Sequence, residues 1–249
     1  MKIQLELNGP DPIAVNASIP PITFTTAGYH VDWESLATLR EVEPRRNYPA
    51  STFRGFLPRT AVSVGEHWKI DPESALQLLK QLAEKPQLEL WNNDGGGQWA
   101  SLRGFNDNYA EIVFRIHTVF MFKDGRFIPS QLTGTLIIDR RLEELIYFEM
   151  SVPPGTLNFD AAWKWDDELT VTECGVCRIE MTAGKEVTQA LAYSGEISME
   201  EARLGLARQF YPAQFIEWVA LEEAAETAIA RDRPIHVVSA DGTFMDESC

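Results

Sequence analysis

The chain has 249 residues, 45% hydrophobic and 24% charged, an ordinary mixture for a soluble globular protein of one large or two small domains. Its 37 acidic residues outnumber 22 Lys and Arg, and the net charge of −15 excludes a basic phosphate-neutralising face and disfavours an anionic membrane surface. No apolar run approaches the ~20 residues of a membrane span, and three cysteines cannot build a disulfide framework.

The N-terminus, Met1 to Leu7, alternates like a strand and lacks the apolar core of a secretory signal, so a cytoplasmic location is expected. A short helix is expected over 34–40. The run Val62-Ser63-Val64-Gly65-Glu66-His67-Trp68 suits the wall of a pocket and a core equally well. Asp71 caps a predicted helix with Pro72 at its first position, and Leu76, Leu79 and Ala83 line one face. Asn92-Asn93-Asp94-Gly95-Gly96-Gly97 lacks the Gly-Lys-Ser/Thr of a phosphate-binding loop and reads as a plain turn.

Alternation then dominates. Ile112, Phe114, Ile116, Phe120 and Phe122 share one parity, and the other parity carries Arg115 and His117, so one long strand with one buried face is predicted. Asp124-Gly125 signals a hairpin. Leu132, Leu136 and Ile138 continue at even positions with Gly134 between them. After a turn near Asp139-Arg140-Arg141, Ile146, Phe148, Met150 and Val152 alternate again, until Pro153-Pro154-Gly155 breaks the strand. Leu169 to Met181 gives one more extended segment. The four strands make an antiparallel meander over roughly 108–182.

The last stretch changes texture. Ser198 and Glu201 form a capping box, and Met199, Ala202, Leu206 and Phe210 follow at helical spacing. Pro212 opens a second predicted helix with Trp218, Leu221, Ala225 and Ala228 on one stripe, ended by Arg231-Asp232-Arg233-Pro234. Ile235 to Ala240 is a short, β-branched apolar run that reads as a buried strand, and Asp241-Gly242 supplies a turn. A lone strand needs a neighbour for its backbone groups, so it must pair with the β-rich part or with sequence beyond Cys249.

Other chemistry candidates are weaker. Cys174-Gly175-Val176-Cys177 is a Cys-x-x-Cys, but strand-like flanks surround it and no second ligand pair exists, so structural cysteines are expected. His30, His67, His117 and His236 are scattered without ligand spacing. Asp160 and Asp166-Asp167-Glu168 lack the alternating oxygens and central glycine of a calcium loop. No metal and no cofactor is expected.

The run Arg233-Pro234-Ile235-His236, the hydrophobic stretch after it, and Asp246-Glu247-Ser248-Cys249 resemble selenoprotein N. In that family a similar strand leads through an acidic pair into Ser-Cys-selenocysteine-Gly. The resemblance covers about the last twenty residues. It lacks the selenocysteine and the glycine, as expected of a chain read as stopping at a recoded UGA. It implies a thioredoxin-like unit reached by helix, strand, loop and cysteine, with Cys249 as the catalytic cysteine beside a selenol, and Ser248, Glu247 and Asp246 as supporting residues. A calcium-binding segment, which the resemblance also implies for vertebrate members, has no match here.

The expected fold class is therefore α+β: an antiparallel β-meander region, residues 1–190, followed over 191–249 by two helices and one strand of an incomplete thioredoxin-like unit. The expected function is a thiol/selenol oxidoreductase acting on a protein thiol or disulfide, truncated before its selenocysteine, with neither nucleic acid nor a membrane span involved. The alternative is a non-catalytic antiparallel β-domain that binds an apolar ligand or a protein, with helices as its lid.

Overall fold

The structure is a computed structural model that describes residues 1–19, 22–24, 41–88, 97–123, 125–128, 131–152, 160–165, 168–176, 179–185, 191–211 and 219–237. Its strands form two sheets, and every pairing among the described strands is antiparallel. The architecture is thus α+β, dominated by antiparallel sheet.

The strands in chain order are β1 (Ile13–Ser18), β2 (Ile22–Phe24), β3 (Arg45–Tyr48), β4 (His67–Lys69), β5 (Pro86–Leu88), β6 (Gln98–Phe105), β7 (Tyr109–Ile116) and β8 (Thr118–Met121). They continue with β9 (Gly125–Ile128), β10 (Leu132–Asp139), β11 (Glu144–Ser151), β12 (Asp160–Trp165), β13 (Glu168–Val176), β14 (Glu180–Gly184) and β15 (Gly195–Glu196). The helices are α1 (Ala50–Arg54), α2 (Pro72–Leu79), α3 (Met199–Phe210) and α4 (Leu221–Arg231). The larger, nine-stranded sheet runs β15-β6-β7-β10-β11-β14-β1-β3, with β4 also on β6; the six-stranded sheet runs β2-β13-β12-β9-β8-β5.

Register explains the core. On the inner face, Leu102, Ile112, Leu136, Phe148, Ala183 and Val15 stand opposite one another across six strands. All six are buried. Phe53 and Phe56, carried by α1 and the turn after it, meet this face. Phe56 packs edge-on to Phe114 with ring centroids 5.1 Å apart, and Phe53 does the same to Phe148 at 5.2 Å. Such pairs add about 0.5–1.5 kcal/mol each beyond area burial. Gly134 sits in this layer because a Cβ there would lie 2.2 Å from the Phe114 ring. Helix α2 closes one side: Asp71 accepts the Ser74 backbone N–H at 2.9 Å, and Ala75, Leu78 and Leu79 are buried. Of the predicted stripe, Leu79 and Ala83 are buried and Leu76 is half-buried.

The β-meander holds in part. β7, β10, β11 and β14 are neighbours in the larger sheet, as their alternation predicts. The long strand predicted from Ile112 to Phe122 instead breaks at His117, whose N–H donates to the Gly97 carbonyl at 2.7 Å. β8 belongs instead to the second sheet and pairs antiparallel with β9, as the hairpin signal predicts; Asp124 lies outside the described residues. The extended segment Leu169–Met181 likewise divides into β13 and β14, one for each sheet. Both halves keep their parity, so alternation alone does not reveal the change of sheet. At the N-terminus Ile3, Leu5 and Leu7 are buried as the alternation predicts, but only Ile3 pairs, in an isolated bridge with Val62.

The C-terminal expectation needs correction. Helix α4 forms, but residues 233–237 have no regular structure, and Ile235 and Val237 are 47% and 73% exposed. The buried strand expected over 235–240 is therefore absent from its described part; residues 238–240 lie outside the described residues. The physical reason is the one that makes a lone strand costly: among the described residues no sheet edge meets this run. The described residues accordingly form no thioredoxin-like unit. The helix expected over 34–40, and the positions Pro212 and Trp218, also lie outside them.

Candidate functional site

Asp246, Glu247, Ser248 and Cys249 lie outside the described residues, as do His30 and Cys177. Cys174 falls in β13, its backbone opposite Phe24, which agrees with strand-like flanks. His67, His117 and His236 are separate in the fold, and no group of three or more His, Cys, Asp or Glu is placed to hold a metal among the described residues.

The structure gathers polar chemistry elsewhere, on the outer face of the larger sheet. Two rungs cross that face. One runs Trp99, Arg115, Thr133, Ser151, Glu180; the other runs Ser101, Val113, Thr135, Glu149, Thr182. The odd-numbered positions of β7, β10 and β11 point here because the even-numbered ones fill the core. At the β6–β7 end the face is apolar, and α3 covers it: Ala202 and Leu206 pack on Val113, with Trp99, Ile197 and Met199 around them. Across β10 and β11 the face turns to hydroxyls and a carboxylate.

A cleft of about 220 Å³ opens at that boundary. Its floor is Thr133, Thr135, Ser151 and Glu149; Met199, Arg203 and Leu206 of α3 form one wall, and Arg115 and Gln131 close one end. Arg115 is only 7% exposed. Its Nε donates to His117 Nε2 at 2.9 Å, and its guanidinium lies over Phe210 and Tyr211 at 5.2 and 5.0 Å. The His117 ring stacks on Phe210 with centroids 3.8 Å apart. Burial, and then the Arg115 charge, hold the His117 imidazole well below the ordinary histidine range, so it stays neutral and accepts that hydrogen bond. At the far side of the floor Glu149 accepts a hydrogen bond from the Tyr147 hydroxyl at 2.6 Å. The Gln131 carbonyl oxygen is buried with no hydrogen-bond partner.

The start of α3 is held by a second cluster. Arg103 donates to Glu111 at 2.6 Å, to Glu196 at 3.3 Å and to the Ile197 carbonyl at 3.3 Å, and its guanidinium covers the Tyr193 ring at 5.1 Å. Burial and the Glu111 carboxylate push the Tyr193 phenol up, so it is protonated at any physiological pH. Midway along α3, Gly205 rests on His67: a Cβ there would lie 2.5 Å from His67 Nε2. Burial first, and Arg208 second, lower the His67 pKa. That nitrogen, the Trp99 indole N–H and the Ser101 hydroxyl are all buried without a partner beneath the helix. Gln81 shows the contrast. Fully buried, it donates to the Val15 and Glu43 carbonyls and accepts from Tyr48, a satisfied structural amide.

Sequence reading placed Arg115 and His117 on the polar parity of a strand and Ala202 and Leu206 on one helix stripe. It did not bring them together, because pairing β7 with α3 spans some ninety intervening positions whose contacts no local pattern encodes. The lining is mixed in polarity, with Val113, Met199 and Leu206 beside Thr133, Thr135 and Ser151.

Sequence comparison finds similarity to selenoprotein N from three vertebrates. The zebrafish (Danio rerio) protein is 26% identical over 61% of this chain, the mouse (Mus musculus) protein 23% identical over 88%, and the human (Homo sapiens) protein 24% identical over 88%. The chain spans about half or less of those relatives, covering 34%, 49% and 46% of their respective lengths. No family model matches the chain, and no solved structure matches it.

Proposed function

We propose that this chain is part of a thiol/selenol oxidoreductase of the selenoprotein N kind. The observation that carries the reading is similarity to selenoprotein N across 88% of the chain, which extends far beyond the short motif at Asp246-Glu247-Ser248-Cys249. In this reading a selenocysteine follows Cys249. Its selenolate attacks one sulfur of a protein disulfide, forming a selenenylsulfide and releasing one substrate thiolate. The Cys249 thiolate then attacks the selenium, releasing the second substrate thiolate and closing a Cys249 selenenylsulfide. Two electrons pass to the substrate, and a thiol reductant restores the selenol and the thiol. Asp246 and Glu247 raise the Cys249 pKa by charge repulsion and stand ready to carry protons, while a helix starting beyond the pair lowers it through its N-terminal dipole. The β-rich region shapes access to the pair.

Expression of the native gene in its own host with selenium supplied tests this. Mass spectrometry is expected to show a longer, selenium-containing product, with an in-frame UGA after the Cys249 codon. A UAA or UAG codon there, with a product ending at Cys249 in that host, would sink the redox reading.

A further inference from the structure

We propose that α3 is a hinged lid on the outer face of the larger sheet, tethered at its start and able to lift while the sheet stays folded. The lid is independent of the chemistry proposed for Cys249.

The tether belongs to the sheet. β15 pairs with the end of β6, and the Ile197 N–H donates to the Arg103 carbonyl at 2.9 Å. Arg103 also donates to the Ile197 carbonyl at 3.3 Å. All of these bonds precede the helix, so none is lost when it lifts. The hinge is Ser198, whose extended backbone, φ −63° and ψ 157°, leads into the first turn at Met199. Its capping box with Glu201 closes within the helix and does not need the sheet beneath.

The seat is poorly matched to what covers it. Ser101, fully buried, stands opposite His67 across the β4–β6 pair, and Trp99 lies two residues away on the same face of β6. The Ser101 hydroxyl, His67 Nε2 and the Trp99 indole N–H are buried there without a hydrogen-bond partner. Lifting α3 gives all three to water, so each favours the lifted state by about tenfold, toward the lower end of the usual penalty. The opposing apolar gain is small, because two of the four residues that α3 buries, Ala202 and Ala207, are alanines. The middle of the helix reaches its seat only through Gly205, where a Cβ would lie 2.5 Å from His67 Nε2. Met199, Arg203 and Leu206 form one wall of the cleft of about 220 Å³, so lifting α3 opens the cleft floor. α3 is docked in nearly every molecule, and substitutions in it therefore still register in global stability.

The test is amide hydrogen exchange of the full 249-residue chain, read residue by residue at one fixed pH. A lifted helix of 12 residues is marginal in water, so its amides exchange once it leaves the sheet. In the wild type, amides in the last two turns of α3 should exchange at least about tenfold faster than those of β10 and β11. Ser101→Ala removes one stranded polar atom and should slow exchange in α3 by about tenfold. Gly205→Leu raises helix propensity but cannot be seated against His67. It should bring α3 close to free exchange while β10 and β11 stay protected. Equal protection of α3 and the two strands in the wild type would overturn the proposal. So would unchanged or faster exchange in Ser101→Ala, the mark of a seat bridged by internal water, or loss of strand protection in Gly205→Leu.

Discussion

Helices α3 and α4 lie close in sequence and read alike: each opens with acidic residues, each ends with an arginine in its last turn, and each carries an apolar stripe. Their environments differ sharply. α3 buries Ala202, Leu206, Ala207 and Phe210. α4 buries only Ala224 among the described residues, leaving Leu221 69% and Ile229 82% exposed. The difference lies in what each helix meets. The outer face of β6 and β7 offers α3 Val113 and Trp99, and Arg103 ties down the segment leading into it. An amphipathic pattern therefore states what a helix can bury, and the sheet decides whether it does.

The largest effect should come from the tie. Arg103 and Glu111 form an ion pair with both side chains largely buried, 16% and 9% exposed. Removing Arg103 strands the buried Glu111 carboxylate, so Arg103→Ala should destabilise the fold by about 3–5 kcal/mol in urea unfolding. Arg103→Met with Glu111→Leu should recover much of that, since an apolar pair of similar volume leaves no unpaired charge. A double variant as unstable as the single would show that the tie acts through something other than charge.

Next in size is the direct comparison of the two stripes. Leu206→Ala opens a void under α3 and should cost about 2–5 kcal/mol. Ile229→Ala on α4 should stay within about 0.5 kcal/mol, as exposed positions do. Similar losses at both positions would mean that a surface also covers α4.

How much of this was legible in the sequence follows from the kind of signal each feature leaves. The capping box at Ser198 and Glu201, the cap at Asp71 and the hairpin signal at Asp124-Gly125 are local; the structure has both caps, and it pairs β8 with β9, while Asp124 itself lies outside the described residues. The alternation of Ile112, Phe114, Leu136, Ile138, Phe148 and Met150 names the inner face correctly. What alternation conceals is the second covered face: Val113 and Arg115 are buried too, under α3, and nothing within β7 announces that. The break at His117 is hidden for a similar reason, because Ile116 and Phe120 keep the same parity on either side of it. The cleft is non-local throughout, with Arg115, Gln131, Glu149 and Arg203 on four different elements or loops. The strand expected from Ile235 failed in its described part because β-branched composition encodes a preference, and a strand also requires a paired edge.

Acid should weaken the end of α3 selectively. His117 accepts from Arg115 and stacks on Phe210, and burial followed by the Arg115 charge depress its pKa well below the ordinary value. The unfolded chain, titrating near ~6.5, therefore takes up a proton first. Stability is full above that value and declines as pH falls below it toward the depressed folded-state value. His67, also lowered, adds to the slope in the same direction. His117→Phe should flatten the decline of the urea midpoint between about pH 7.5 and about pH 5, even though its absolute stability drops for want of the Arg115 hydrogen bond. An unchanged slope would assign the acid sensitivity to other groups.

The smallest effects separate the helices at their caps. Ser198 accepts the Glu201 backbone N–H at 3.1 Å while Glu201 accepts from Ser198 N–H at 2.8 Å, so Ser198→Ala should cost about 1 kcal/mol of global stability. α4 begins at Ala220, which offers no side-chain acceptor although its extended backbone, φ −59° and ψ 148°, suits a capping residue. Ala220→Ser therefore supplies one, stabilising α4 by up to about 1 kcal/mol. Because α4 buries so little, that gain should be local: amide exchange within Leu221–Arg231 should slow while the global urea midpoint stays where it is. A midpoint rising in step with the local protection would mean that α4 unfolds with the sheet, and the contrast between the two helices would then be one of degree.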